Sequence, residues 1–233
     1  MRYILIIPDI HGRTFWKDSV EKYGENAEKI VFLGDYLDSY PWEFITRKMA
    51  IENFKEIIKF KKDNPDKVVL LLGNHDLAYY DRHYPYRVRY DSSNAYKIKQ
   101  NFGRNRSLFQ LAYEADLDKH YLFTHAGVLK SWYERHKELI GDLTVDNLNR
   151  LKTFPGGIRS LCDVSRLRGG FGGIGSMVWS DIDEKNELED FDGIYQIFGH
   201  SQQDSEPVIT DTWACLDCRR AFVLNEEGGF QEA

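Results

Sequence analysis

The chain has 233 residues, enough for one domain with a substantial core, and its 42% hydrophobic and 29% charged residues are ordinary for a soluble globular protein. A net charge of -6 counts against a general nucleic-acid binder, which carries a basic surface. No apolar run approaches the roughly 20 residues that a membrane span needs. Cys162, Cys215 and Cys218 make no disulfide framework, so a cytoplasmic protein is expected.

The first third alternates strand and helix signals. Tyr3 to Pro8 reads as a buried strand and is followed at once by a candidate ligand, so a cleaved leader is not expected. Arg13 to Tyr23 reads as a helix, and Ile30 to Leu33 as a second strand. Arg47 to Lys62 has helical spacing, with Met49, Ile51, Phe54, Ile57 and Ile58 apolar between lysines. Asp63-Asn64-Pro65-Asp66 stops it, and Val68 to Leu72 is an apolar run too short for a helix. This β-α-β-α-β rhythm predicts a sheet with helices packed on it.

Further on, His120 to Thr124 and Ile194 to Phe198 read as strands. Two insertions interrupt the pattern. Ala78 to Gln100 is rich in Tyr and Arg (Tyr79, Tyr80, Arg82, Tyr84, Tyr86, Arg87, Arg89, Tyr90). Val128 to Ser176 carries helices at Ser131 to Leu139 and Val145 to Lys152, and closes on a Gly-rich loop, Gly169 to Gly175, that reads as a flexible rim. Strands are predicted at Thr212 to Asp217 and Ala221 to Leu224, then a frayed polar tail. No repeat and no dividing linker is present, so residues 1–233 are expected to form one domain.

Five motifs sit at the ends of predicted strands: Asp9-Ile10-His11-Gly12, Gly34-Asp35-Tyr36-Leu37-Asp38, Gly73-Asn74-His75-Asp76, His125-Ala126-Gly127 and Gly199-His200. In open α/β sheets ligands bind at the strands' carboxyl ends, so the motifs are expected to converge on one sheet edge. Together they supply Asp9, His11, Asp35, Asn74, His125 and His200, the donor set of a two-metal hydrolytic site. Carboxylate, amide oxygen and imidazole suit Mn, Fe or Zn more than Ca. Two divalent metals about 3.5 to 4 Å apart can hold a phosphate ester and lower the pKa of a bound water towards about 7. The leaving oxygen needs a proton. His75 can supply it if Asp38, three residues after Asp35, fixes its tautomer.

With these motifs the sequence resembles the calcineurin-like metallophosphoesterase superfamily, and within it the bacterial type of the phosphoprotein phosphatase branch, over residues 8–201. That branch carries GDxHG, GDxxDRG, GNHE, HGG or HAG, and GHT. Here they stand as Pro8-Asp9-Ile10-His11-Gly12, Gly34-Asp35-Tyr36-Leu37-Asp38, Gly73-Asn74-His75-Asp76, His125-Ala126-Gly127 and Gly199-His200-Ser201, and Trp179-Ser180-Asp181 matches a WSD segment. The resemblance implies an α/β (α+β) four-layer sandwich, two mixed β-sheets flanked by helices. It implies that Asp9 and His11 bind the first metal, that Asp35 bridges, and that Asn74, His125 and His200 complete the second. His75 would be the general acid, paired with Asp38.

The branch's Arg-Gly after the second Asp is missing, because Ser39-Tyr40 stands there. Leu72 replaces an Arg common before GNHE. Asp76 replaces the Glu, as in bacterial diadenosine tetraphosphate hydrolases, which also have HAG but keep Arg-Gly. Gln202 stands where nuclease-like relatives have a further metal-binding His. The phosphate clamp must therefore come from elsewhere, and Arg is suited to it by its bidentate geometry. Arg168 is the first candidate, because it precedes the WSD segment as a phosphate-binding Arg of the branch does. Arg13, Arg82, Arg104 and Arg166 stay open.

The expected activity is metal-dependent hydrolysis of a phosphate ester, serine/threonine phosphatase-like, on a small molecule, nucleotide or phosphoprotein. The alternatives are a nucleotide polyphosphate hydrolase and, in another class, a binding scaffold that has lost catalysis. Net charge and Gln202 count against a nuclease. His83, His120 and His136 match no motif and are read as surface or packing residues. Cys215-Leu216-Asp217-Cys218 is read as buried rather than metal-binding. The tyrosines of the first insertion suit either a packed lid or a stacking surface for bases or aromatic leaving groups.

Overall fold

The computed structural model describes residues 2–85, 88–184 and 191–233. Tyr86 and Arg87 of the Tyr- and Arg-rich stretch lie outside them. The chain divides into two compact units, one running to Gln110 and completed by Arg219–Ala233, the other Leu111–Cys218. Each holds a mixed β-sheet with helices.

The first unit contains β1 (Tyr3–Ile7), α1 (Phe15–Tyr23), β2 (Lys29–Phe32), α2 (Arg47–Asp63), β3 (Val68–Leu71), α3 (Asn74–Tyr80), α4 (Ala95–Arg104) and β4 (Phe109–Gln110). β1, β2, β3 and β4 pair in parallel in that order. Ile4 to Ile7 and Val68 to Leu71 are buried at every position, as expected of parallel strands covered on both faces. α2 buries Ala50, Ile51, Phe54, Ile57 and Ile58, a helical stripe, and Thr46 caps its start by accepting from the Met49 amide at 3.2 Å. Tyr36, Phe54, Phe102 and Phe109 form an aromatic cluster, with ring centroids 5.5 Å (Tyr36–Phe54), 4.7 Å (Phe54–Phe102) and 5.0 Å (Phe102–Phe109) apart. This cluster joins the second motif to Phe102 of α4, the helix in which the first insertion ends.

The second unit contains β5 (Ala112–Asp116), β6 (His120–Thr124), α5 (Lys130–Ile140), α6 (Val145–Arg150), α7 (Pro155–Ser160), β7 (Ile194–Phe198), β8 (Val208–Ile209) and β9 (Trp213–Cys215). The sheet order is β5-β6-β7-β9-β8, with β6, β7 and β9 parallel. Asn149 sets the start of β5: its side-chain oxygen accepts from the Leu111 and Ala112 amides at 2.6 and 3.1 Å, and its Nδ2 donates to the Ala112 carbonyl at 2.9 Å.

Two expectations are corrected. The motifs do not share one sheet edge: those of Asp9, Asp35 and Asn74 follow strands of the first sheet, and those of His125 and His200 follow strands of the second. The tail is not frayed, because β10 (Phe222–Asn225) returns the chain to the first unit antiparallel to β1, and β11 (Phe230–Glu232) pairs on β10. The Gly169 to Gly175 rim is folded back on Val164 and Ser165. Gly172 donates to the Val164 carbonyl at 3.0 Å and Gly170 to that of Ser165 at 2.9 Å. No helix among the described residues is long and apolar enough to cross a membrane.

Candidate active site

In the first unit the loops after β1, β2 and β3 are laced together by backbone bonds. His11 donates to the Asp35 carbonyl at 2.6 Å and Gly12 to that of Tyr36 at 3.0 Å. His11, Asp35 and Asp38 all hold left-handed backbones (φ 43, 53 and 58), a conformation that strains most L residues and that Asp and His tolerate better than most. The second and third loops meet through two glycines. A Cβ on Gly34, whose φ is +114, would stand 2.5 Å from the Gly73 nitrogen, and one on Gly73 would stand 2.1 Å from the Asp35 carboxylate. Only backbone fits there. Asp76 completes the join: its carboxylate accepts from the amides of Asp35 (2.7 Å), Tyr36 (3.0 Å) and Gly73 (2.9 Å). Burial and the neighbouring Asp35 push its pKa well above the usual carboxylate range.

This frame brings Asp9, His11 and Asp35 together. All three are buried, and their ligand-type atoms lie within 4.8 Å of one another. His11 Nε2 stands 3.6 Å from Asp35 Oδ2, while its Nδ1 lies 3.0 Å from the Leu37 carbonyl oxygen. A proton on Nδ1 donated to that carbonyl leaves Nε2 free to act as a ligand, the usual second-layer arrangement of a metal-bound histidine. Burial pushes the His11 pKa well below the ordinary imidazole range, Asp35 opposing, so the ring is neutral. Two buried carboxylates and a neutral imidazole in one cluster suit a cation of the Mn, Fe or Zn type. Asn74, also buried, starts α3, and the next amide, that of His75, donates to Asp35 Oδ1 at 3.0 Å.

Beside the cluster, His75 Nδ1 is 3.0 Å from Asp38 Oδ2, and the His75 and His11 rings meet edge to face at 5.2 Å. The other Asp38 oxygen accepts from the Tyr79 hydroxyl at 2.5 Å. That hydroxyl in turn accepts from the Asp91 amide at 2.6 Å. Burial raises the Asp38 pKa, and hydrogen bonds from His75 and Tyr79 offset part of the rise. Tyr79 stacks on Tyr90 with centroids 4.5 Å apart, and Tyr79, Tyr80 and Tyr84 are buried. These three tyrosines are packing residues rather than an open stacking surface.

In the second unit His125 follows β6 and His200 follows β7, with ring centroids 5.0 Å apart. His200 has φ +63 and meets Trp179 edge to face at 5.7 Å. The Gly199 amide donates to the His125 carbonyl at 2.8 Å. Ser180 donates to the carbonyls of Ala126 (2.6 Å) and Gly127 (2.9 Å), so the Trp-Ser-Asp segment braces the loop that carries His125.

The arginines divide by what answers their charge. Arg168 pairs with Asp181 at 2.5 Å and also donates to Ser201. Arg13 pairs with Glu43 at 2.8 Å and donates to the Asp9 carbonyl at 3.2 Å. Arg82, Arg104 and Arg166 are exposed. Arg89, which no motif marks, is different. It is half-buried, donates from Nε to the Asp38 carbonyl at 3.0 Å, lies over the Tyr40 ring at 3.8 Å, and is 3.4 Å from both ring nitrogens of His11. Arg89 is not among the clamp candidates drawn from the sequence, and the only signal that could have found it was a missing Arg-Gly together with an Arg-rich insertion.

Acid and imidazole groups at strand ends, next to a His–Asp pair, have the chemistry a metal-dependent hydrolase needs. The chain belongs to the calcineurin-like phosphoesterase family, whose model matches residues 2–204. No curated protein matches it. Among solved structures it is similar to a cold-active protein-tyrosine phosphatase of a psychrophilic Shewanella species, at 15% identity and TM-score 0.58, over 100% of this chain and 80% of that one. It is also similar to a protein serine/threonine phosphatase from Saccharomyces cerevisiae, at 12% identity and TM-score 0.58, over 95% of this chain and 72% of that one. At such identities these two share the fold.

Proposed function

We propose that this chain is a phosphatase in which Asp9, His11, Asp35, Asn74, His125 and His200 hold two divalent metals, Mn or Fe (Zn also suits the donors), residues 1–233 working as one catalytic domain. When bound, the metals supply Lewis acidity and a water that ionises near neutral pH. The chain's own groups do the rest. Asp9 and Asp35 bring the negative charge that a metal pair needs, and the Leu37 carbonyl keeps His11 in its ligating tautomer. His75 protonates the leaving oxygen from Nε2. Asp38 holds the proton on Nδ1 and steadies the imidazolium before transfer.

The observation that carries this is the 3.0 Å contact of His75 with Asp38 beside the Asp9–His11–Asp35 cluster. A scaffold without catalysis has no need of an oriented, partnered imidazole there. The two structural relatives are named for different phosphoresidues, tyrosine and serine/threonine, so the shared fold does not select the substrate. The test is hydrolysis of p-nitrophenyl phosphate by Mn-loaded protein, with metal content measured in parallel. His75→Ala should abolish turnover and keep the metal. A panel of phosphopeptides, phosphomonoesters and dinucleotide polyphosphates then separates a phosphatase from a polyphosphate hydrolase.

A further inference from the structure

We propose that Arg89, carried on the ring of Tyr40, is the substrate-phosphate-binding residue that replaces the missing Arg-Gly arginine. This rests on the phosphatase reading of the site.

A guanidinium in a buried setting needs an anion or a set of acceptors. Arg13, Arg47 and Arg168 each have a carboxylate: Glu43, Asp91 and Asp181. Among the described residues Arg89 has none. It touches one carbonyl and two rings. The Asp38 carbonyl fixes Nε, and the Tyr40 ring supports the guanidinium plane, a stacking for which Arg is suited and Lys is not. The terminal Nη2 is thereby left beside His11, a member of the acid–imidazole cluster. A phosphate held at that cluster comes within reach of the same nitrogen. Tyr40 itself meets His11 edge to face at 5.1 Å, so one ring spans the arginine and the cluster.

The substitution of Arg-Gly by Ser39-Tyr40 now has a physical sense. Ser39 stands where the clamp arginine is missing, the neighbouring Gly position carries the platform, Tyr40, and the cation arrives from the insertion 51 residues after Asp38. The backbone supports the assignment, because Arg89 holds φ +51, a strained conformation for a long side chain. Strain of this kind persists where the surroundings over-determine it, and it clusters at sites that grip ligands. Bidentate grip of a phosphate by Arg contributes orientation as well as affinity.

The experiment uses the whole Mn-loaded chain with inorganic phosphate as probe, by calorimetry and as a competitive inhibitor of p-nitrophenyl phosphate hydrolysis. Arg89→Ala should weaken phosphate binding and raise KM by about ten- to a hundredfold, with metal content kept. Arg89→Lys should recover only part of this. Tyr40→Leu should weaken phosphate binding, and Tyr40→Phe, which keeps the ring, should restore it. Wild-type phosphate affinity in Arg89→Ala overturns the proposal, as does equal loss in Tyr40→Phe and Tyr40→Leu. If the chain binds phosphate through Arg89 yet hydrolyses no ester, the clamp stands and the phosphatase reading fails. If the loaded wild type binds no phosphate, both fail.

Discussion

Tyr79→Phe removes one oxygen and tests how the acid pair is built. The hydroxyl donates to Asp38 at 2.5 Å and accepts from the Asp91 amide at 2.6 Å, and both partner residues are buried. Losing the bond to the carboxylate costs about 1.5–3 kcal/mol, and leaving the amide without its acceptor costs about 1–3 kcal/mol. The stack on Tyr90 survives in Phe, so the expected loss is about 2.5–6 kcal/mol in urea unfolding. Activity should also change with pH. The Asp38 pKa is already raised by burial, and Tyr79 pulls it back down. Without the hydroxyl it rises further, so the acid limb of kcat should move to higher pH. The stability sign follows from linkage. A carboxyl whose folded pKa is raised contributes fully below its unfolded pKa and loses that contribution as pH rises through the folded one. The deficit of Tyr79→Phe should therefore be larger at neutral pH than near pH 4. An unshifted acid limb with stability within about 0.5 kcal/mol of wild type would refute the network.

Asp35→Ala should lose both metals by elemental analysis, whereas Asp38→Asn should keep them and lower kcat about 10²–10⁴-fold; metal loss in Asp38→Asn reverses the assigned roles. Gly73→Ala forces a methyl to within 2.1 Å of the Asp35 carboxylate, and metal affinity should fall about 10–100-fold; titration with Mn reads it. Asn149→Ala strips three hydrogen bonds from the start of β5 and should destabilise the chain by about 2–4 kcal/mol, followed by far-UV circular dichroism on heating.

What could be read from residues alone tracks how local the physics is. The runs at Ile4–Ile7, Val68–Leu71 and Tyr121–Thr124 are buried on both faces, so composition alone marks them as strands. α2 declares itself through its stripe and its Thr46 cap. α3 does not, because Asn74 enters the helix as a motif residue and Gly73 caps it only through backbone. β11 was hidden because three half-exposed residues form a strand only when β10 is already in place. The two-sheet division eluded periodicity, since a strand's partner is not written in its own pattern. The placement of Arg89 was hidden for a related reason: its partners Asp38, Tyr40 and His11 are distant in sequence, and proximity of this kind appears only in the folded chain.

The segment from Asp81 to Asn94 is held at both ends. Behind it stand buried Tyr79 and Tyr80, and ahead of it Ile98 and Phe102 of α4 enter the aromatic core. Closing a loop between two fixed posts costs little more when the loop lengthens, about 0.6 kcal/mol per doubling. Loops of other lengths can therefore be closed between the same two posts, with the loops after β1, β2 and β3 left as they are. A graft between Asp81 and Asn94 has to keep Arg89 on the Tyr40 ring beside His11, and the Asp91 amide that donates to Tyr79.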